Sequence, residues 1–170
     1  MYPFDRADGV WTNRTYGGPG GRDQHGGFST NHGCTYDPRV GRIAVSDRAN
    51  SRIEFFDYDP ASPDVFAWAS TVDMIPPMGN ATLPCNVRVY PALGGIAVMP
   101  DLSGPVAVLD AANAVVSVVN VSVLLAELQH NHPHDAIFLP SGDMVVATWA
   151  PGRVSYWKKL WRCRHTRCSL

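Results

Sequence analysis

Short apolar runs alternate with polar turns three times along this chain. Ile43-Ala-Val-Ser-Asp-Arg-Ala-Asn-Ser-Arg-Ile-Glu-Phe-Phe-Asp57 aligns without a gap on Ile96-Ala-Val-Met-Pro-Asp-Leu-Ser-Gly-Pro-Val-Ala-Val-Leu-Asp110. Both align on Met144-Val-Val-Ala-Thr-Trp-Ala-Pro-Gly-Arg-Val-Ser-Tyr-Trp-Lys158. Each unit reads as an apolar strand, a turn with Asn, Gly or Pro, and an alternating strand, which predicts a β-hairpin. A further strand is predicted before each hairpin, ending in a turn that contains Pro and Gly. These leading segments are Asn31 to Arg42, Pro84 to Gly95 and Pro133 to Asp143.

The leading strands carry the most informative alignment. His32, Cys85 and His134 each stand six residues before the turn proline (Pro38, Pro91, Pro140), so they share one repeat position. Repeats of this length with several strands each predict propeller blades; a β-sandwich is the competing architecture. The expected fold class is all-β, a partial propeller of three blades plus part of a fourth. Residues 1–28 are read as the end of a preceding blade and a loop, 29–160 as three blades and 161–170 as an irregular tail. An outer strand is expected near Val65 to Val72, and a short helix within Val121 to His130 carrying Leu124, Leu125 and Leu128 on one face.

Composition supports this reading. The 170 residues include 15 Gly and 14 Pro, and the acidic residues are 13 Asp against two Glu. Asp, Gly and Pro favour turns, whereas Glu and Lys favour helices. A net charge of −1 forces no basic face, so nucleic acid is not implied. No apolar run is long enough for a membrane-spanning helix. The opening residues lack the apolar core of a signal peptide, and the compartment is left open. Three N-x-S/T sequons begin at Asn13, Asn80 and Asn120.

Asp47-Arg-Ala-Asn-Ser-Arg-Ile53 and Pro133-His-Asp-Ala-Ile137 resemble NHL-repeat sequences, a propeller family, and the likeness covers most of residues 28–159. Within that family the functional likeness is to the peptidyl-hydroxyglycine amidating lyases, which are six-bladed rings. The resemblance implies the C-terminal half of such a ring. It also implies zinc held on the propeller axis by one His from each of three alternate blades, with His32 and His134 as two of them. Asp135 would match an acidic ligand of a structural calcium, and Arg48 an arginine facing the substrate. The third His, the base tyrosine and a second arginine of the family belong to blades outside this match. The alternative is a non-catalytic propeller that binds a small molecule or peptide at its axis, or a protein on its rim.

Chemistry gives the metal reading separate support. Equivalent positions of successive blades converge near a shared axis, and neutral imidazole suits zinc. A catalytic zinc takes three protein ligands and an open position, and His130, His132 and Cys85 are open candidates for the third. Cys34 is a weaker one. Arg48 is read as a carboxylate-binding guanidinium, and Arg52 as a surface turn partner of Asp47. Arg153, at the turn position of Arg52 in the third repeat, is also read as structural. Trp149, Tyr156 and Trp157 are expected to pack blades. Cys163, His165 and Cys168 match no standard zinc spacing.

Overall fold

A computed structural model describes residues 4–5, 10–11, 15–59, 66–127, 131–150 and 152–159. Two short pairs come first: β1 (Phe4–Asp5) with β2 (Val10–Trp11), and β3 (Gly18–Pro19) with β4 (Gly27–Phe28), the second pair parallel. The first blade is an antiparallel meander of β5 (Asn31–Asp37), β6 (Arg42–Asp47), β7 (Arg52–Tyr58) and β8 (Phe66–Asp73). The second contains β9 (Arg88–Tyr90), β10 (Ile96–Pro100), β11 (Pro105–Leu109) and β12 (Val115–Asn120). The third contains β13 (Pro133–Phe138), β14 (Met144–Thr148) and β15 (Arg153–Trp157). All three predicted hairpins are present, each preceded by its leading strand, and the outer strand predicted near Val65 is β8. The fold is all-β, a partial β-propeller.

Glycines at the leading turns explain why those turns recur. Gly41, Gly94 and Gly142 have φ values of 69, 80 and 85°. Side chains rarely adopt this left-handed region, so Gly closes each turn at least cost.

The middle blade shows how alternation becomes packing. Ala97, Met99, Ala107 and Leu109 join Ala44, Ile53 and Phe55 of the first blade in one buried cluster. Val98 and Val106 point the other way and pack with Ala136, Met144 and Val146 of the third. Period-2 alternation therefore serves two cores, one on each face.

Buried charge ties the loops to this frame. Arg52 is not a surface residue: it is 1% exposed. Its Nε donates to Asp47 Oδ2 at 2.8 Å, and its Nη groups donate to the carbonyls of Arg22, Gln24 and Gly27 at 2.6–2.8 Å. Its Nη2 also lies 2.9 Å from Glu54 Oε1, a charge contact that is not aligned as a hydrogen bond. The guanidinium thus fastens the loop before β4 onto the first blade. Arg153, at the same repeat position, is exposed. Arg39 does similar work between blades, chelating Asp37 and donating to the carbonyls of Gly95 and Asp110.

Two further expectations, for the aromatic residues and for the helix, are corrected. Trp149 and Tyr156 do not pack blades; they are 67% and 60% exposed, and only Trp157 packs against the second core. The helix forms over Val121–Leu125, capped by the Asn120 side chain. Its buried residue is Val121, while Leu124 and Leu125 are exposed. Leu128 and the tail residues Cys163, His165 and Cys168 lie outside the described residues.

Replacing Arg52 by Ala leaves Asp47 and Glu54 as buried carboxylates without their cation. The expected loss is about 3–5 kcal/mol, read as a lower urea midpoint. A variant as stable as the parent would show that the network contributes little.

Candidate metal centre

The shared repeat position becomes a shared place in space. Ligand atoms of His32, Cys85 and His134 all lie within 4.8 Å of one another. The two imidazoles meet edge to face, with ring centroids 4.6 Å apart.

Local backbone irregularity aims both histidines. The β5–β6 ladder slips between Asn31 and Cys34, and the β13–β14 ladder slips between Pro133 and Asp135. His32 and His134 sit inside these slips. A bulge bends its strand and redirects the side chain it contains, which takes both rings out of the regular alternation. Cys85 lies just before β9, where its N–H donates to the Pro100 carbonyl at 2.9 Å.

Close approach of the first two blades completes the arrangement. An added Cβ at Gly33 would fall 2.6 Å from the Cys85 carbonyl oxygen and 2.8 Å from Asn86 Cα. Only Gly permits that contact. It brings His32 Nδ1 within 2.8 Å of the Cys85 carbonyl oxygen. That acceptor requires the proton on Nδ1, which leaves Nε2 with its lone pair, the state a metal ligand needs.

Burial favours the neutral forms here. It raises the Cys85 thiol to about 11, against the pull of the nearby Arg48 charge, and the thiol points to the Leu83 carbonyl at 3.7 Å. Burial lowers the His134 pKa, and His32 and Arg48 lower it further. Arg48 therefore faces the cluster from its 3-10 turn, Arg48–Asn50. Beside His32 a cavity of about 210 Å³ opens, with Tyr16, Phe28 and Phe66 among its walls.

The other named residues lie elsewhere. Asp135 is chelated by Arg88, with Nε to Oδ1 at 2.9 Å and Nη2 to Oδ2 at 2.5 Å, and it also accepts from Asn86. A calcium ion at Asp135 would compete with that guanidinium for the same two oxygens. His132 Nδ1 is 2.8 Å from the Leu102 carbonyl oxygen, and Cys34 is exposed. His130 is outside the described residues. Cys85 was legible as a candidate ligand only through its repeat position, because a single buried Cys otherwise reads as core.

No protein-family model matches the chain, and no curated protein does. Solved structures do match. A candidate 6-phosphogluconolactonase of Bacteroides uniformis is 17% identical with a TM-score of 0.66, covering 91% of this chain and 45% of that one. A luciferin-regenerating enzyme is 10% identical with a TM-score of 0.54, covering 73% and 39%. A protein of unknown function from Bacteroides caccae is 14% identical with a TM-score of 0.53, covering 69% and 38%. The chain thus spans less than half the length of these structures. At such identities the likeness is one of fold, and it supports a propeller-type architecture.

Two outcomes are expected. Gly33→Ala should lower stability by roughly 1–3 kcal/mol through overpacking, checked by thermal melting and urea titration. Unchanged values would mean that the blades have room to separate. In metal-free protein the lowered His134 pKa means the folded state resists a proton that the unfolded chain accepts. Stability should therefore fall as pH drops through the ordinary histidine value of about 6.5. Urea midpoints between pH 8 and 5.5 should show this fall, and His134→Gln should reduce it. An equal fall in the variant would assign the effect to another group.

Proposed function

We propose that this chain forms the metal-binding part of a propeller enzyme of the amidating-lyase type. Its substrate would be a peptide ending in α-hydroxyglycine. The observation that supports the reading is the meeting of His32 and His134 with Arg48 beside them. Two imidazoles from different blades suit a divalent transition metal, and zinc fits this donor chemistry. Bound there, zinc would lower the pKa of a hydroxyl placed on it.

The chain's own residues would do the rest. Arg48 would bind the carboxylate through its guanidinium fork. His32, held through Nδ1 by the Cys85 carbonyl, would keep one orientation throughout. In the reaction the bond between the amide nitrogen and the hydroxylated carbon breaks. The hydroxyl loses its proton and its oxygen becomes the aldehyde oxygen of glyoxylate, while the nitrogen gains a proton and becomes the peptide amide.

A second reading is a rim-binding scaffold. It is favoured by the exposed Trp149, Val154 and Tyr156 on the third blade and its turn.

The native full-length protein, loaded with zinc, should release glyoxylate from a model hydroxyglycine peptide. His32→Ala and His134→Ala should each lose bound zinc and activity, and Arg48→Ala should raise KM. Zinc binding without glyoxylate release would sink the substrate. Zinc binding unaffected by either His substitution would sink the site.

A further inference from the structure

We propose that Cys85 is the third protein ligand of this centre, so that the metal is held by two imidazoles and one thiolate from three consecutive blades. The inference rests on the reading of His32 and His134 as metal ligands, and it departs from the alternate-blade set of histidines that the sequence resemblance implies.

Three observations converge. The sulfur belongs to the same group of ligand atoms as the two histidines, all within 4.8 Å. Metal–ligand bonds of about 2.0–2.3 Å place neighbouring ligands around a tetrahedral zinc roughly 3–4 Å apart. The contraction required on binding is thus of the order of 1 Å. Next, Cys85 occupies in the middle blade the position that His32 and His134 occupy in the flanking blades, so the repeat itself supplies the convergence. Third, Cys85 organises its neighbour: its carbonyl accepts from His32 Nδ1 at 2.8 Å and so holds that ring in one orientation. One residue would thereby position one ligand and supply another.

The other candidates are placed less well. Cys34 is exposed, and His132 is directed at Leu102 with its ring beside Trp149. A donor set of two nitrogens and one sulfur selects against calcium and magnesium, which prefer oxygen, and suits zinc. With three protein ligands a fourth position stays open for a substrate oxygen or water. This ligand set would need no residue from any other blade.

The test uses the full chain with Cys34, Cys163 and Cys168 changed to Ser, so that Cys85 is the only thiol. Cobalt(II) is the probe, since a thiolate ligand gives a sulfur-to-cobalt charge-transfer band in the near ultraviolet. The expected result is one cobalt per chain with that band. Cys85→Ser should lose the band and weaken zinc binding at least about tenfold, no less than the loss of an outer-shell partner costs. Cys85→His should keep the metal and lose the band, which preserves the test if the serine variant does not fold. Binding that depends on His32 and His134 but shows no band, with Cys85→Ser binding as tightly, would overturn the Cys85 assignment and leave the two-histidine reading intact. If neither cobalt nor zinc binds the parent chain at all, both readings fall together.

Discussion

A sheet whose two faces are both apolar must be covered on both sides, and the middle blade is such a sheet. Met99 and Leu109 enter one core, while Val98 and Val106 enter the other. Neither the first nor the third blade can withdraw without exposing one of these faces to water. This double burial fixes the order and spacing of the three blades, and with them the position of every inner strand. The loops are then fastened by buried guanidinium groups rather than by more hydrophobic surface. Arg39 spans the first two blades and Arg52 holds the segment before β4. Each Arg satisfies several carbonyls at once, which apolar side chains cannot do.

The candidate centre is a consequence of that stacking. Three strands placed side by side present the same repeat position at the same level. Two of them add a local slip that turns a His out of the pleat, and the third presents a Cys. The close approach at Gly33 then lets the first strand lean on the Cys85 carbonyl. The result is a group of nitrogen and sulfur atoms near enough to the Arg48 charge to be influenced by it. Asp135 lies on the same strand as His134 but serves the blade interface through Arg88. The slip leaves His134 out of the ladder while Asp135 pairs opposite Ala147, so the two hold different roles.

Much of the architecture was legible because it is periodic. Alternation, turn glycines and the spacing to Pro38, Pro91 and Pro140 locate the hairpins and the leading strands without reference to any contact. The equivalence of His32, Cys85 and His134 is visible in the same way. The exceptions are residues whose environment depends on distant chain. Arg52 reads as a surface residue because its turn is polar, yet the loop at residues 22–27 folds over it. Trp149 and Tyr156 read as packing residues because they are large and aromatic, yet they sit on an uncovered face. Strand β12 lies in an apolar stretch interrupted by Ser117 and Asn120, where composition alone does not separate strand from helix.

The sequence by itself determined an all-β repeat architecture, three blades with their hairpins, and one repeat position shared by the three blades. It could do so because strand alternation and turn chemistry act over a few residues. Only the tertiary structure decided that Cys85 stands with the two histidines, that Arg48 faces them, and that Asp135 is bound to Arg88. Those facts depend on how closely neighbouring blades approach and on which way a bulge turns a side chain. Both are set by packing between segments about 50 residues apart.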